Sequence, residues 1–430
     1  MSEYQSFHCT ALGYSHVKKA TVCQDCSGSF DGDGFHIAVV SDGHGHNTSF
    51  RSDVGSRVAV DVAMEQLQSL AEFLKGREEM LFRKEEKNSL LQKLADRVVS
   101  AWNTRIRQHL LENPITEEEY ALAGNVADLF RAGRDLPRIY GATLIAALVT
   151  DRYLLVMQQG DGRCVVLHEN GKADQPVPWD ERCVGNVCTS LCLPDAAASC
   201  RFYVEDQQKD RIVACYVTTD GVEDCFPDLN GLNSYFSDIT GRFSGEMWNM
   251  VPFLKDQLPI MSRNGSADDM SVAAVVDARA ATLLVDRLKM VSLFYSYYME
   301  LRKAREKMRS MERKMEYLKN QYRKAVDIWN HCREQAGTGE PEDTMKLHQA
   351  EQAVSDARWE YNSYVDRFNS FRAQAMHARK SALGILDVMT MLGCGYLLEN
   401  TDLDYIRQKI QKKKVYALER VILSGQGEET

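Results

Sequence analysis

Four short acidic segments sit at the ends of apolar runs: Asp42-Gly43, Asp161-Gly162 and Asp220-Gly221 each follow one, and Asp268-Asp269 precedes one. Taken singly, Asp-Gly is a turn, in which glycine takes positive φ and the aspartate bonds nearby backbone. Several such turns around strands of one core are a different matter. If the strand ends share an edge, four or five carboxylates converge, and so much like charge requires cations. Oxygen donors without paired His or Cys select a hard ion, Mg2+ or Mn2+.

The elements that must position these carboxylates are legible as β-branched runs. Phe35–Ser41 reads FHIAVVS and ends at Asp42-Gly43-His44-Gly45. Residues 54–74 and 81–111 carry helical periodicity. Residues 141–150, 152–158 and 164–168 are predicted to be consecutive strands forming a meander, punctuated by Asp151-Arg152 and Gly160-Asp161-Gly162. Residues 211–219 and 270–276 are two more strands. Strand-rich stretches interrupted by a helical block fit an α+β or layered α/β/α domain better than a doubly wound parallel sheet. The domain is expected to span 1–281.

From residue 282 to 430 the composition changes to long, glycine-poor, charged helix. Leu301, Ala304, Met308, Met311, Met315, Leu318, Tyr322, Ala325, Trp329 and Cys332 alternate spacings of three and four, a heptad seam. A second seam runs from Leu347 through Tyr361, Tyr364, Phe368 and Phe371 to Ala382. AGTGEPED at 336–343 separates them, so two helices at about 283–335 and 342–385 are expected to form an antiparallel coiled-coil hairpin, roughly 60 Å or more long at 1.5 Å per residue. A helical tail follows. The aromatic second seam points to a third helix or a partner surface, either a protein partner or self-association. Lys412 to Lys414 form a basic run that reads first as a solvated face.

The 430 residues are 44% apolar and 26% charged, with a net charge of −9. From residue 284 on there are 25 basic and 21 acidic residues, against 27 and 40 before it. An acidic first part argues against nucleic acid and suits cation collection. No apolar run approaches the length of a membrane span, no secretory signal is visible, and the twelve cysteines read as reduced thiols, so a cytoplasmic protein is expected. Cys23-x-x-Cys26 lacks a second ligand pair and reads as packing rather than zinc.

The motifs, in order, resemble those of the PPM or PP2C-type protein serine/threonine phosphatases: Gln24-Asp25, SDGHG at 41–45, GATL at 141–144, QGDGR at 159–163, TTDG at 218–221 and DDMSV at 268–272. The likeness covers roughly residues 8–278. It implies a layered sandwich with a central pair of mostly antiparallel sheets flanked by helices. It also implies an enzyme that hydrolyses phosphoserine and phosphothreonine in proteins with metal-activated water. Carried over by position, Asp42 is similar to the carboxylate bridging two Mn2+ or Mg2+ ions, with the Gly43 carbonyl as a further ligand. Asp220 and Asp268 resemble ligands of the first ion and Asp25 the acidic residue near the second. Asp161 resembles a residue that helps to hold a weaker third ion. His44 stands where the family has its general acid.

One departure bears on substrate. The arginine that contacts substrate phosphate in the family falls at Ala20, leaving Lys18 and Lys19 as candidates without a bidentate fork. An alternative reading is a phosphatase fold that has lost turnover and binds partners through the helical arm. Hydrolysis of a small phosphorylated metabolite is a third.

Overall fold

The computed structural model describes residues 3–184, 187–335, 341–391, 398 and 403–411. Ten strands fall into two five-stranded sheets among the described residues. They are β1 (Tyr4–Ala11), β2 (Cys26–Asp31), β3 (Phe35–Ser41), β4 (Leu144–Thr150), β5 (Tyr153–Gln159), β6 (Arg163–His168), β7 (Ala173–Asp174), β8 (Arg201–Asp206), β9 (Ile212–Thr218) and β10 (Met270–Asp277). One sheet has the order β1-β10-β9-β6-β7 and the other β2-β3-β4-β5-β8, with every pairing antiparallel. The layered α+β class expected from the sequence is the one observed.

Helices α1 (Tyr14–Lys19), α2 (Ser52–Leu74), α3 (Lys84–Glu112), α4 (Glu117–Ala123) and α5 (Ala127–Arg131) lie in the first half of this part. α6 (Ala196–Ser199), α7 (Asp220–Glu223), α8 (Leu229–Phe243) and α9 (Met250–Asn264) follow. The central strands β3, β4, β9 and β10 are apolar at nearly every position because both faces of each sheet are covered there. In β3, Ile37 and Val39 pack toward α2 and α3, around the fully buried Trp102. Ala38 and Val40 face the other sheet, meeting Cys215, Val217, Ala273 and Val275 in a dry interior. The outer face of the β1-β10-β9-β6-β7 sheet carries α8 and α9 through Leu232, Phe236, Leu254 and Leu258.

The expected meander needs correction. β4 and β5 pair, but β6 leaves that sheet and pairs with β9 in the other. Gly160, at φ +109°, allows the chain to turn out of β5 in a conformation that side chains rarely take, and the loop then crosses between the sheets. That crossing brings Asp161 to the same end of the sandwich as residues that follow β3 and β9.

The chain divides into two compact units, one reaching Ser292 and the other beginning at Leu293. α10 (Ala278–Gln335) starts directly after β10, where the Asp277 carboxylate accepts hydrogen bonds from the N–H groups of Arg279 and Ala280 as an N-cap. α11 (Pro341–Met391) has proline at its first position, where the missing N–H costs nothing, and α12 (Leu403–Gln411) packs against it. In the second unit α10 and α11 run antiparallel: Tyr297 stacks edge-on to His377, Lys307 lies over Phe371, and Lys314 pairs with Glu360 at 3.8 Å. Leu301, Ala304, Met308, Met311, Met315 and Leu318 are buried on one helix, and Val354, Tyr361, Phe368, Ala378 and Ala382 on the other. Residues 336–340 of the connecting segment, and the tail from 412 with its Lys412 to Lys414 run, lie outside the described residues.

Candidate active site

Each site segment is fixed by hydrogen bonds that its own motif supplies. Asp42 follows β3, and its backbone is locked to the start of β4: the Asp42 N–H donates to Thr143 Oγ1 at 3.0 Å, and the Thr143 N–H donates to the Asp42 carbonyl at 2.8 Å. The DGH segment thus continues as an antiparallel bridge beside GATL, with Gly43 paired to Ala142 and the His44 N–H donating to the Gly141 carbonyl. Asp220 opens α7 after β9. The preceding Thr219 donates through Oγ1 to Asp25 Oδ2 at 2.8 Å and accepts from the Ser271 N–H at 3.0 Å. The Asp161 and Asp220 loops are tied by Arg163, which grips Glu223 with two hydrogen bonds of 2.7 Å and lies over the Trp179 ring.

Carboxylate oxygens of Asp42, Asp161 and Asp220 lie within 4.8 Å of one another. Asp25 and Asp268 flank this group, near enough for their charges to act on it. All five carboxyl groups are pushed above the ordinary carboxylate range, first by burial. For Asp42 the next causes are the charges of Asp220, Asp25, Asp268 and Asp161; Asp220 is raised to about 7 by burial and then by Asp161 and Asp268. Such a set, all oxygen and mutually repelling, fits a hard divalent cation, which would reverse these shifts. Asp161 joins Asp42 and Asp220 in the tightest group, and Asp268 is the most exposed of the five.

Asp269 is a feature that the sequence left unexplained. Its two oxygens accept hydrogen bonds from the N–H groups of Gly13 at 2.6 Å and Gln24 at 2.7 Å, and His16 Nδ1 lies 2.9 Å away. One buried carboxylate therefore clamps the whole 13–24 segment and so sets the position of Asp25. The Asp-Asp doublet at the start of β10 was the only signal of it.

His44 sits against the same cleft, with Nε2 3.7 Å from Cys188 Sγ. Burial lowers its pKa to about 4, so the imidazole is neutral at pH 7. Lys18 and Lys19 lie exposed in the last turn of α1, with Lys18 Nζ 4.3 Å from the Tyr14 ring centroid. Ala20 caps that helix in the left-handed region, at φ +53°. Among the described residues Cys23 and Cys26 join no cluster of metal-ligating side chains.

These features define a two-sheet sandwich with an acidic cleft at one end. The sequence profile of the protein phosphatase 2C family matches residues 12–259, more than half of the chain, and the chain belongs to that family. Among solved structures it is similar to a bacterial serine phosphatase, at 17% identity over 64% of this chain and 98% of that one, with a TM-score of 0.40. It is also similar to the serine/threonine phosphatase Stp1 from Staphylococcus aureus, at 16% identity over 64% and 95%, TM-score 0.39. A C. elegans sex determining protein matches at 14% identity over 66% and 68%, TM-score 0.41. No curated protein matches the chain.

Proposed function

We propose that this chain is a Mg2+- or Mn2+-dependent protein phosphatase that hydrolyses phosphoserine and phosphothreonine. The observation that carries the reading is the convergence of Asp42, Asp161 and Asp220 within the segment matched to the family. When bound, the ions supply a water nucleophile near neutral pH and offset charge on the phosphoryl oxygens. Asp42, the Gly43 carbonyl, Asp220 and Asp268 would hold the first ion and Asp25 with Asp42 the second. The close grouping of Asp161 argues that it belongs among the main ligands as well as serving a third ion. His44 is assigned the proton that the departing serine or threonine oxygen needs. Since burial holds its ring neutral, the role requires a phosphate dianion alongside to raise its pKa on binding.

We assign residues 1–281 to catalysis and 282–430 to a helical arm that docks substrate or partner. Exposed Trp359 and Ile328 on that arm support docking. Free thiols at the described cysteines fit a reducing compartment, and a cytoplasmic location with them, which cell fractionation checks. Among the described residues no helix is long and apolar enough to cross a membrane.

The experiment is Mn2+-dependent hydrolysis of a phosphoprotein, a phosphopeptide and an aryl phosphate by wild type and Asp42→Ala. Wild type is expected to turn over all three and to prefer the phosphoprotein, with the variant down by at least about a hundredfold. Equal rates for the two proteins would remove the enzyme reading, and no preference for the phosphoprotein would remove the docking role. Replacing Lys18 and Lys19 together by alanine is expected to raise KM and leave kcat near wild type, as loss of uniform phosphate binding does. An unchanged KM would place phosphate recognition elsewhere.

A further inference from the structure

Cys188 takes no part in the chemistry described above, yet it faces the cleft. Val184 and Val187 exchange backbone hydrogen bonds of 2.9 and 3.2 Å, which places Cys183 and Cys188 as the next opposing pair on the two arms of a tight hairpin. The residues after it are anchored to the site. Thr189 Oγ1 accepts from the Gly160 N–H and donates to Asp180, Ser190 Oγ donates to the Ala142 carbonyl, and the Leu191 N–H donates to the same carbonyl. This anchoring holds Cys188 Sγ 3.7 Å from His44 Nε2.

That separation is within reach of a hydrogen bond between thiol and imidazole, and it also matches the sulfur-to-nitrogen edge of a tetrahedral zinc site. Bonds of about 2.3 Å to sulfur and 2.0–2.1 Å to nitrogen subtend about 3.6 Å at the tetrahedral angle. Burial and the nearby Asp161 and Asp42 carboxylates hold the thiol protonated, and the same carboxylates draw cations toward it. We propose that Cys188 Sγ and His44 Nε2 form an inhibitory site for Zn2+, completed by the Asp161 carboxylate and water. Asp161 belongs to the compact carboxylate group as the structure stands, so binding requires its side chain to swing toward the thiol. Zinc binding releases the thiol proton to solvent and ties up the imidazole nitrogen. Mg2+ and Mn2+ favour oxygen and leave such a thiolate-imidazole pair alone, so the two classes of ion share Asp161 only, and excess Mg2+ is expected to weaken zinc binding without abolishing it. Zinc binding rests on the positions of Cys188 and His44, and only its inhibitory effect rests on the phosphatase reading, so binding can fail while that reading stands, and the reverse.

The test uses the full-length reduced protein with excess Mg2+ present. Co2+ is added as a spectroscopic stand-in for zinc, zinc affinity is measured by competition with a chromophoric chelator, and phosphatase activity is followed separately. Wild type is expected to give a thiolate-to-cobalt charge-transfer band. Cys188→Ser should lose that band and bind zinc at least about tenfold more weakly, while keeping its Mg2+-dependent activity. A Cys200→Ser control should match wild type. Independently of any variant, zinc should protect Cys188 of the wild type from alkylation, read by mass spectrometry. Zinc binding that excess Mg2+ abolishes, that C188S retains at full strength or that leaves Cys188 equally alkylated overturns the proposal.

Discussion

At the scale of single residues the site rests on two different uses of aspartate. Asp42, Asp161 and Asp220 are held within 4.8 Å of one another, as a cation site requires. Asp269, one residue from Asp268, is instead fully engaged by Gly13, Gln24 and His16. Asp269→Asn keeps the shape but offers one acceptor where two N–H groups need one each. It is expected to cost about 1–3 kcal/mol in urea unfolding and to weaken Mn2+ binding through a displaced Asp25. Unchanged stability and metal affinity would show that the clamp is dispensable. Asp42, Asp161 and Asp220 were legible because each follows an apolar run and precedes a glycine, and Asp268 because it precedes such a run, whereas Asp25 stands in a polar stretch and came only from the family resemblance. The clamp was not legible, because its partners lie some 250 positions away and nothing local marks a carboxylate as paired rather than free.

At the scale of elements, the strands that end at the site were readable where both faces are covered, since continuous β-branched runs such as FHIAVVS have few other uses. β1, β2, β7 and β8 carry no comparable signal in the sequence. β2 is rich in serine and glycine and β8 is only half-buried throughout, so neither carries a strong apolar period. The passage of β6 into the other sheet depends on pairing with β9 far along the chain, which no local pattern encodes. The two heptad seams, by contrast, predicted buried positions on α10 and α11 well, because a helix-helix seam is a repeating local pattern. A further contact no periodicity suggested is that of α2 with the turn before β4: a Cβ on Gly55 would stand 1.9 Å from the Tyr140 carbonyl oxygen, and Trp102 Nε1 donates to the Gly55 carbonyl at 3.0 Å. Gly55→Ala should therefore push α2 off the turn that leads into Gly141, whose carbonyl accepts the His44 N–H. The expected cost is about 1–3 kcal/mol in denaturant unfolding, with lowered activity. A fully stable, active variant would mean that this close approach is not needed.

At the scale of the whole molecule, the sandwich spends stability to gather five carboxylates at one end. In the folded protein without metal their pKa values are raised, Asp220 to about 7, whereas in the unfolded chain they return to about 3.9. Between those values the folded state holds protons that the unfolded chain has released. Stability contributed by these groups therefore falls as pH rises from about 4 to about 7. A divalent cation that binds only the folded state reverses the loss, and most strongly where the carboxylates are ionised. The most direct measurement is the melting temperature in Mn2+ and in chelator at pH 5 and pH 7.5, for wild type and Asp42→Asn. The expected result is a Mn2+-induced rise that is larger at pH 7.5 than at pH 5 and much reduced in the variant. A melting temperature indifferent to Mn2+ at both pH values, or an equal rise in Asp42→Asn, would contradict the account of this cleft as a metal centre.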